Sequence, residues 1–342
     1  MLINQISCLI FFIYWVMAHT YLVLTPALLF SSDKLVLKMK KLVQTFSTDL
    51  LIRPFKTTFY LAQSKQNIIK TINENPNLID VLFCNHVSTL DFLFVVAYLQ
   101  HFKIDSYNFV LKNEIIYYPC IGFVMYADSD IKINRNWELD KSIINTQLDN
   151  IKLTKTKQII LIFPEGTRLT SDKIIEAQKF SKENNLPIFN NLQVPKTKGL
   201  WTIVSHLKKT NRLGKIWDIT LVMPQYIRKS AYMRDLLGKS FGPVYGIIRH
   251  VELPNNMYDL DIFRKWLLEI WQEKDNFIET YDNFKYDKLD LSMPNKSHCI
   301  EILFMCFIMG ILLFKKYGRI YLIIMVVIAY ILILTNYKKV DL

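Results

Sequence analysis

Residues 78–98 read LIDVLFCNHVSTLDFLFVVAY, and the order of residue types in this stretch decides the fold class. Leu78–Cys84 is an apolar run of strand length, the pattern of a strand buried on both faces. Phe92–Tyr98 is apolar again and predicts a helix. Gln158–Phe163 and Ile219–Met223 repeat the strand-like run, while Asp172–Asn185, Thr197–Lys209 and Leu260–Tyr281 have helical length and composition. Residues 42–298 are therefore expected to form an α/β domain, a mixed sheet flanked by helices. In the last helical stretch Ile262, Trp266, Leu267, Ile270, Trp271 and Phe277 recur at helical spacing. Such a stripe predicts core packing.

The flanks differ in character. Residues 1–41 form a membrane anchor in this reading: no charged side chain precedes Asp33, and Leu9–Phe30 is long enough to cross a ~30 Å hydrocarbon core. A cleaved signal peptide is the rival, disfavoured by the missing Lys or Arg ahead of the run and by the run's length. Lys34, Lys38, Lys40 and Lys41 then place the central domain in the cytosol, and an endoplasmic reticulum location is expected. Residues 299–342 hold two apolar runs, Cys299–Phe314 and Ile320–Thr335, split by a basic loop of Lys315, Lys316, Tyr317, Gly318 and Arg319. At ~1.5 Å per residue each run reaches only about 24 Å, so tilted short transmembrane spans and a re-entrant hairpin both stay open.

The 342 residues are 51% hydrophobic with a net charge of +12. With apolar ends, that charge suits anionic lipid headgroups or a phosphorylated substrate. No nucleic-acid-binding pattern is present. Cys8, Cys84, Cys120, Cys299 and Cys306 contain no CxxC pair and read as small reduced hydrophobes rather than a disulfide scaffold. No metal-ligand spacing appears. No G-x-S-x-G elbow appears either, which disfavours a serine hydrolase. Gly238-Lys239-Ser240 lacks the upstream glycine of a P-loop, since Met233 stands there.

Three strand-to-loop clusters carry chemistry. In Asn85–Asp91, a loop histidine, His86, precedes Asp91 by five residues, close enough to fold back on a carboxylate in the first helical turn. A carboxylate fixes the imidazole tautomer and stabilises the imidazolium. Ser88 and Asp91 equally match a capping box, which needs no catalysis. In Phe163–Arg168, Gly166 permits a tight turn and Arg168 offers a forked donor for phosphate; a plain turn is the alternative. In Val194–Gly199, Lys196 and Lys198 stand at a predicted helix start, either an anion site or a solvated basic turn.

Asn85-His86-x4-Asp91 followed by Phe163-Pro-Glu-Gly-Thr-Arg168 resembles the lysophospholipid, or 1-acylglycerol-3-phosphate, acyltransferase family. The resemblance covers roughly residues 80–225. Val194–Gly199 looks like the V-P-[RK]-T-K-G variant of the lysocardiolipin- and lysophosphatidylinositol-acylating branch. A further block runs from Lys112 through Pro119 and Gly122 to Arg135, although Ala127–Asp130 departs from the more apolar lead-in usual there. The resemblance implies His86 as general base oriented by Asp91, and Glu165, Gly166, Thr167 and Arg168 positioning the phosphoglycerol, helped by Arg135. Pro195 and Lys196 would line the far wall or touch CoA phosphates. Acyl-CoA and a lysophospholipid are the implied substrates, acyl-CoA being a co-substrate with no further cofactor and no metal. A phosphatidate-forming enzyme is the alternative within the family. From other classes, an inactive membrane scaffold and a thioesterase or lysophospholipase are the alternatives.

Overall fold

Strand-forming runs that lack a polar face need cover on both sides, and the chain supplies helices on both flanks of each. The computed structural model describes residues 6, 10, 13–14, 16–18, 20–26, 57–62, 65–72, 74–104, 106–117, 130–151, 153, 157–229, 242–289 and 307–337. In chain order the elements are β1 (Thr58–Leu61), α1 (Lys65–Ile72), β2 (Ile79–Cys84), α2 (Asp91–His101), β3 (Tyr107–Lys112), β4 (Ile131–Ile133), α3 (Trp137–Asn150) and β5 (Gln158–Ile162). Then follow α4 (Ser171–Glu183), α5 (Thr197–Lys209), β6 (Leu213–Val222), β7 (Pro243–Val251), α6 (Leu260–Glu279), β8 (Asp287–Leu289) and α7 (Lys316–Tyr337).

Two compact units result. The larger comprises residues 55–110 and 136–291; the other comprises 1–54, 111–135 and 292–342. In the larger, the strand order is β3-β5-β2-β6-β7-β1-β8. β2 runs parallel to both β5 and β6, and β3 is parallel to β5. β7 is antiparallel to β6 and β8 is antiparallel to β1. The sheet is mixed, as expected. Every residue of β2 and β5 is buried, so the continuous apolar runs mark central strands.

Helix α5 matches its expected bounds, and α2, α4 and α6 lie within a few residues of theirs. On α6, Leu267, Ile270, Trp271 and Phe277 are buried and Trp271 stacks on Phe83, 5.8 Å between centroids. Ile262 is exposed and Phe263 takes the core position beside it. β6 is longer than the expected Ile219–Met223. Its first six residues include Lys215 and Asp218, which break the apolar pattern but find partners. The Lys215 backbone N–H donates to Asp80 Oδ1 at 2.8 Å, and Asp218 meets Arg249 at 2.9 Å and the fully buried Lys274. Lys274 also donates to Ile219 O at 2.7 Å and sits over the Phe83 and Trp271 rings. A buried charge with these partners is satisfied rather than stranded.

Asp80 anchors a second buried cluster at the amino-terminal end of β2. Its carboxylate pairs with Lys157 and accepts from Trp217 Nε1 at 2.7 Å. Burial raises this carboxyl above its ordinary range, against the pull of Lys157. Gly214 makes the cluster possible, because a Cβ there would stand 2.0 Å from Asp80 Oδ1 and 3.2 Å from Ile79 O. Gly214→Ala is therefore expected to destabilise by about 1–3 kcal/mol, the usual size of an overpacking defect. Urea unfolding measures this, and an unchanged midpoint would show that the cluster yields without strain.

In the smaller unit, α7 contacts the π-helical turn Thr20–Leu24. The expected basic loop at 315–319 is absent: residues 307–314 are helical, the chain bends at Lys315, and Lys316–Arg319 already form the first turn of α7. A single bend costs fewer unsatisfied backbone groups than a five-residue loop. The expected N-terminal span falls mostly outside the described residues. Among the described residues no helix is long and apolar enough to cross a membrane. Much of Leu9–Phe30, all of 299–306, Gly238–Ser240 and four of the five cysteines lie outside the described residues. Cys84 is buried and unpaired.

Candidate active site

The carboxyl ends of parallel strands are where an open α/β sheet presents its loops to a ligand, and β2 and β5 end side by side, with Phe83 opposite Ile162. Asn85 extends the β2 ladder with its side chain: Oδ1 accepts from Leu221 N–H at 2.8 Å and Nδ2 donates to Leu221 O at 2.9 Å. The backbone after β2 is thereby held in line for one more residue before it turns.

His86 follows. Its Nδ1 lies 2.8 Å from Asp91 Oδ2. Asp91 is fully buried, whereas 24% of the His86 side chain is exposed. Asp91 Oδ2 also accepts from the backbone N–H groups of Val87 and Ser88, at 2.6 and 2.8 Å, and Oδ1 accepts from Ser88 Oγ at 2.8 Å. Ser88 Oγ in turn accepts from Leu90 N–H at 2.9 Å. Half of a capping box is therefore present, the carboxylate-to-Ser88 backbone bond. The same carboxylate grips the imidazole, so the two readings of this motif describe one arrangement. With Nδ1 donating to Asp91, Nε2 is left as the basic nitrogen.

The β5 loop packs against this histidine. The Phe163 and His86 rings lie 4.7 Å apart, and Leu169 N–H donates to His86 O at 2.7 Å. Gly166 adopts a φ of +72°, the left-handed conformation its turn requires, and its N–H closes on Phe163 O at 2.9 Å. Lys196 N–H donates to Pro164 O at 2.8 Å, and the Lys196 ammonium lies 3.4 Å from where a Gly166 Cβ would stand. Lys196 and Lys198 are exposed, Pro195 is buried, and Arg168 is half-buried. The N-cap of α5, Lys196, puts no side chain on the helix's first N–H groups. His86, Asp91, Glu165, Gly166, Thr167, Arg168, Pro195 and Lys196 thus stand on adjoining loops of one unit. Arg135 belongs to the other unit, at a φ of +62°. Residues 118–129 of its block lie outside the described ones.

Glu165 occupies a position the sequence did not foretell. Only 2% of it is exposed, and its carboxyl turns inward: Oε1 accepts from His86 N–H at 3.2 Å, and Oε2 faces Gln193 Nε2 at 3.3 Å. Burial pushes this carboxyl up to about 8, against the opposing pull of the His86 and Gln193 hydrogen bonds and of Lys274. Gln193 and Lys173 were not singled out in the sequence; both reach Thr167, and neither lies within a motif that would have flagged it. No cluster able to hold a metal ion occurs among the described residues.

His86, held by the buried carboxylate of Asp91, stands beside a glycine turn with basic side chains, an arrangement able to move a proton next to an anion. Residues 64–208 match the family model described as Acyltransferase. Probable 1-acyl-sn-glycerol-3-phosphate acyltransferase 5 of Arabidopsis thaliana is 27% identical over 59% of this chain and 53% of its own length. Human 1-acyl-sn-glycerol-3-phosphate acyltransferase delta is 29% identical over 65% of this chain and 55% of its own. Lysophosphatidylinositol acyltransferase 10 of Caenorhabditis elegans is 27% identical over 59% and 52%. The chain spans about half the length of these relatives. Among solved structures, the 1-acyl-sn-glycerophosphate (LPA) acyltransferase PlsC of Thermotoga maritima aligns with a TM-score of 0.43 and 15% identity, over 80% of this chain and 98% of that one.

Proposed function

We propose that this chain is an acyl-CoA-dependent lysophospholipid O-acyltransferase. The observation that carries the proposal is the His86–Asp91 pair at 2.8 Å, with a partly exposed ring at the rim where Arg168 and Lys196 also stand. His86 Nε2 takes the proton of the lysophospholipid hydroxyl as its oxygen forms a bond to the thioester carbonyl carbon. The tetrahedral intermediate collapses, the C–S bond breaks, and the CoA thiolate leaves with the proton returned by His86. No covalent acyl-enzyme is needed. Asp91 holds the imidazole and balances its charge while it carries the proton. Arg168 and Lys196 hold the phosphoglycerol, and Pro195 shapes the wall beside them. Arg135 enters none of these steps.

The acceptor is read through its phosphoglycerol, so lysophosphatidylinositol and 1-acylglycerol-3-phosphate are both expected to be turned over. The names of the relatives divide between these two acceptors. Both substrates are amphiphiles, and we place the reaction at a bilayer surface, on the cytosolic side of the endoplasmic reticulum. Exposed Phe307, Phe314, Tyr317 and Ile323 with Lys315, Lys316 and Arg319 among them suit an interfacial apolar face with basic flanks.

Purified protein given labelled acyl-CoA and a lysophospholipid panel tests the reading. Acylated lipid supports it, free fatty acid points to a thioesterase, and no product points to a scaffold. Arg168→Lys keeps the charge but loses the planar two-pronged donor. The KM for lysophospholipid is expected to rise about tenfold, the worth of one charged hydrogen bond, with that for acyl-CoA little changed. A rise confined to acyl-CoA would move Arg168 to the donor side.

A further inference from the structure

Asp91 and Phe163 meet the His86 ring, but the histidine's backbone is held from a direction the reaction scheme does not use. Glu165 Oε1 accepts the His86 N–H at 3.2 Å. The other oxygen, Oε2, is engaged by a single residue, Gln193, through its backbone N–H at 3.5 Å and its amide Nε2 at 3.3 Å. The same Nε2 donates to Thr167 O at 2.8 Å, and Gln193 Oε1 accepts from Thr167 Oγ1 at 3.3 Å. Thr167 Oγ1 itself accepts from Lys173 Nζ at 2.7 Å. Gln193 is 9% exposed, so its amide works where water competes little and a lost bond is not replaced.

These contacts join three loops that otherwise belong to different strands and helices: the loop after β2 with His86, the turn after β5 with Glu165 and Thr167, and the segment before α5 with Gln193. We propose that Gln193 is a positioning residue for the base: it fixes the Glu165 carboxyl, which fixes the His86 backbone, so the phosphate-side turn and the proton-transfer loop move as one body. Thr167 precedes Arg168 directly. A shift of the acceptor's phosphate on Arg168 is thereby transmitted through Thr167, Gln193 and Glu165 to the atom that takes the proton. Gln193 touches no substrate in this scheme and acts on His86 only through Glu165.

This inference rests on the acyltransferase reading, and the experiment separates the two. Gln193→Met keeps length and volume but removes the amide. In the labelled acyl-CoA assay it is expected to lower kcat on the order of 10–10²-fold, the scale of a small misplacement of a catalytic group, with the acyl-CoA KM little changed. The pH–rate midpoint should move as well, which a loss of stability alone would not cause. In a Glu165→Gln background the further effect of Gln193→Met should shrink to within about threefold, because residues in one chain of contacts are not additive. Unchanged kcat and pH profile, or full multiplication with Glu165→Gln, overturns the proposal. If wild-type protein transfers no acyl group, the acyltransferase reading fails by itself. The coupling is then read from the histidine ring signals of ¹³C-labelled protein, six in all, with His86 assigned by His86→Ala. Displacement of the His86 signals and their titration midpoint in Gln193→Met sustains the coupling, and unmoved signals end it. Should Gln193→Met fail to fold, Gln193→Glu, with the same length, is read against the same criteria.

Discussion

His86→Ala is expected to lower the acyl-transfer rate by on the order of 10²–10⁴-fold, the range of a general base, while leaving the fold intact. The ring is anchored at Nδ1 and partly open to solvent, and its removal strands few core contacts. Phe163 loses a ring neighbour and Asp91 loses one donor of four. The backbone bonds of His86, to Glu165 and from Leu169, do not involve the imidazole and survive the substitution. Thermal unfolding should therefore stay close to wild type, so the rate loss reports chemistry. A well-folded variant with near-normal turnover would remove His86 from the mechanism.

Asp91→Asn separates the two roles this carboxylate plays. An asparagine with its oxygen at the Oδ2 position still accepts from Val87 N–H, Ser88 N–H and His86 Nδ1–H. Its amide nitrogen then meets Ser88 Oγ, which can turn to accept. The loop before α2 is thus expected to persist, at a loss of about 1 kcal/mol or less. What disappears is the negative charge facing the imidazole, which is needed when the ring holds the proton. A rate loss on the order of 10²-fold or more is expected. If Asp91 were only a helix cap, activity would remain near wild type and the loss would appear in stability. Measuring both quantities on this one variant decides.

Much of this was legible in residues 78–98, because strand, loop and helix are written there in three distinct compositions. The pairing of His86 with Asp91 was legible only in part: the five-residue separation allows it, Ser88 and Asp91 equally match a capping box, and the resemblance favoured the pair. The first six residues of β6 were hidden for a physical reason: Lys215 and Asp218 break the apolar pattern, and only the fold reveals their partners in Asp80, Arg249 and Lys274. Strands β7 and β8 escaped because they alternate or are short, and their burial depends on neighbours distant in sequence. The inward turn of Glu165 was equally invisible. The resemblance set Glu165 toward the phosphoglycerol, and its burial depends on Gln193, a residue with no motif of its own. The bend at Lys315 shows the converse, where charge in the sequence suggested a loop that the backbone does not need.

Strand β2 carries a buried charged cluster at one end and the proton-transfer loop at the other. Asp80, Lys157, Trp217 and Gly214 gather at the amino-terminal end, while Asn85 and His86 follow the carboxyl end, about five residues or roughly 17 Å further along the strand. The partners of Asp80 (Lys157, Lys215 and Trp217) and those of Asn85 and His86 (Leu221, Glu165 and Asp91) have no residue in common. Robustness to heat and rate of turnover are thus written at opposite ends of a single β-strand. Selection, natural or in the laboratory, has separate handles on them, and a more thermostable variant obtained by refining the Asp80 surroundings need not surrender speed.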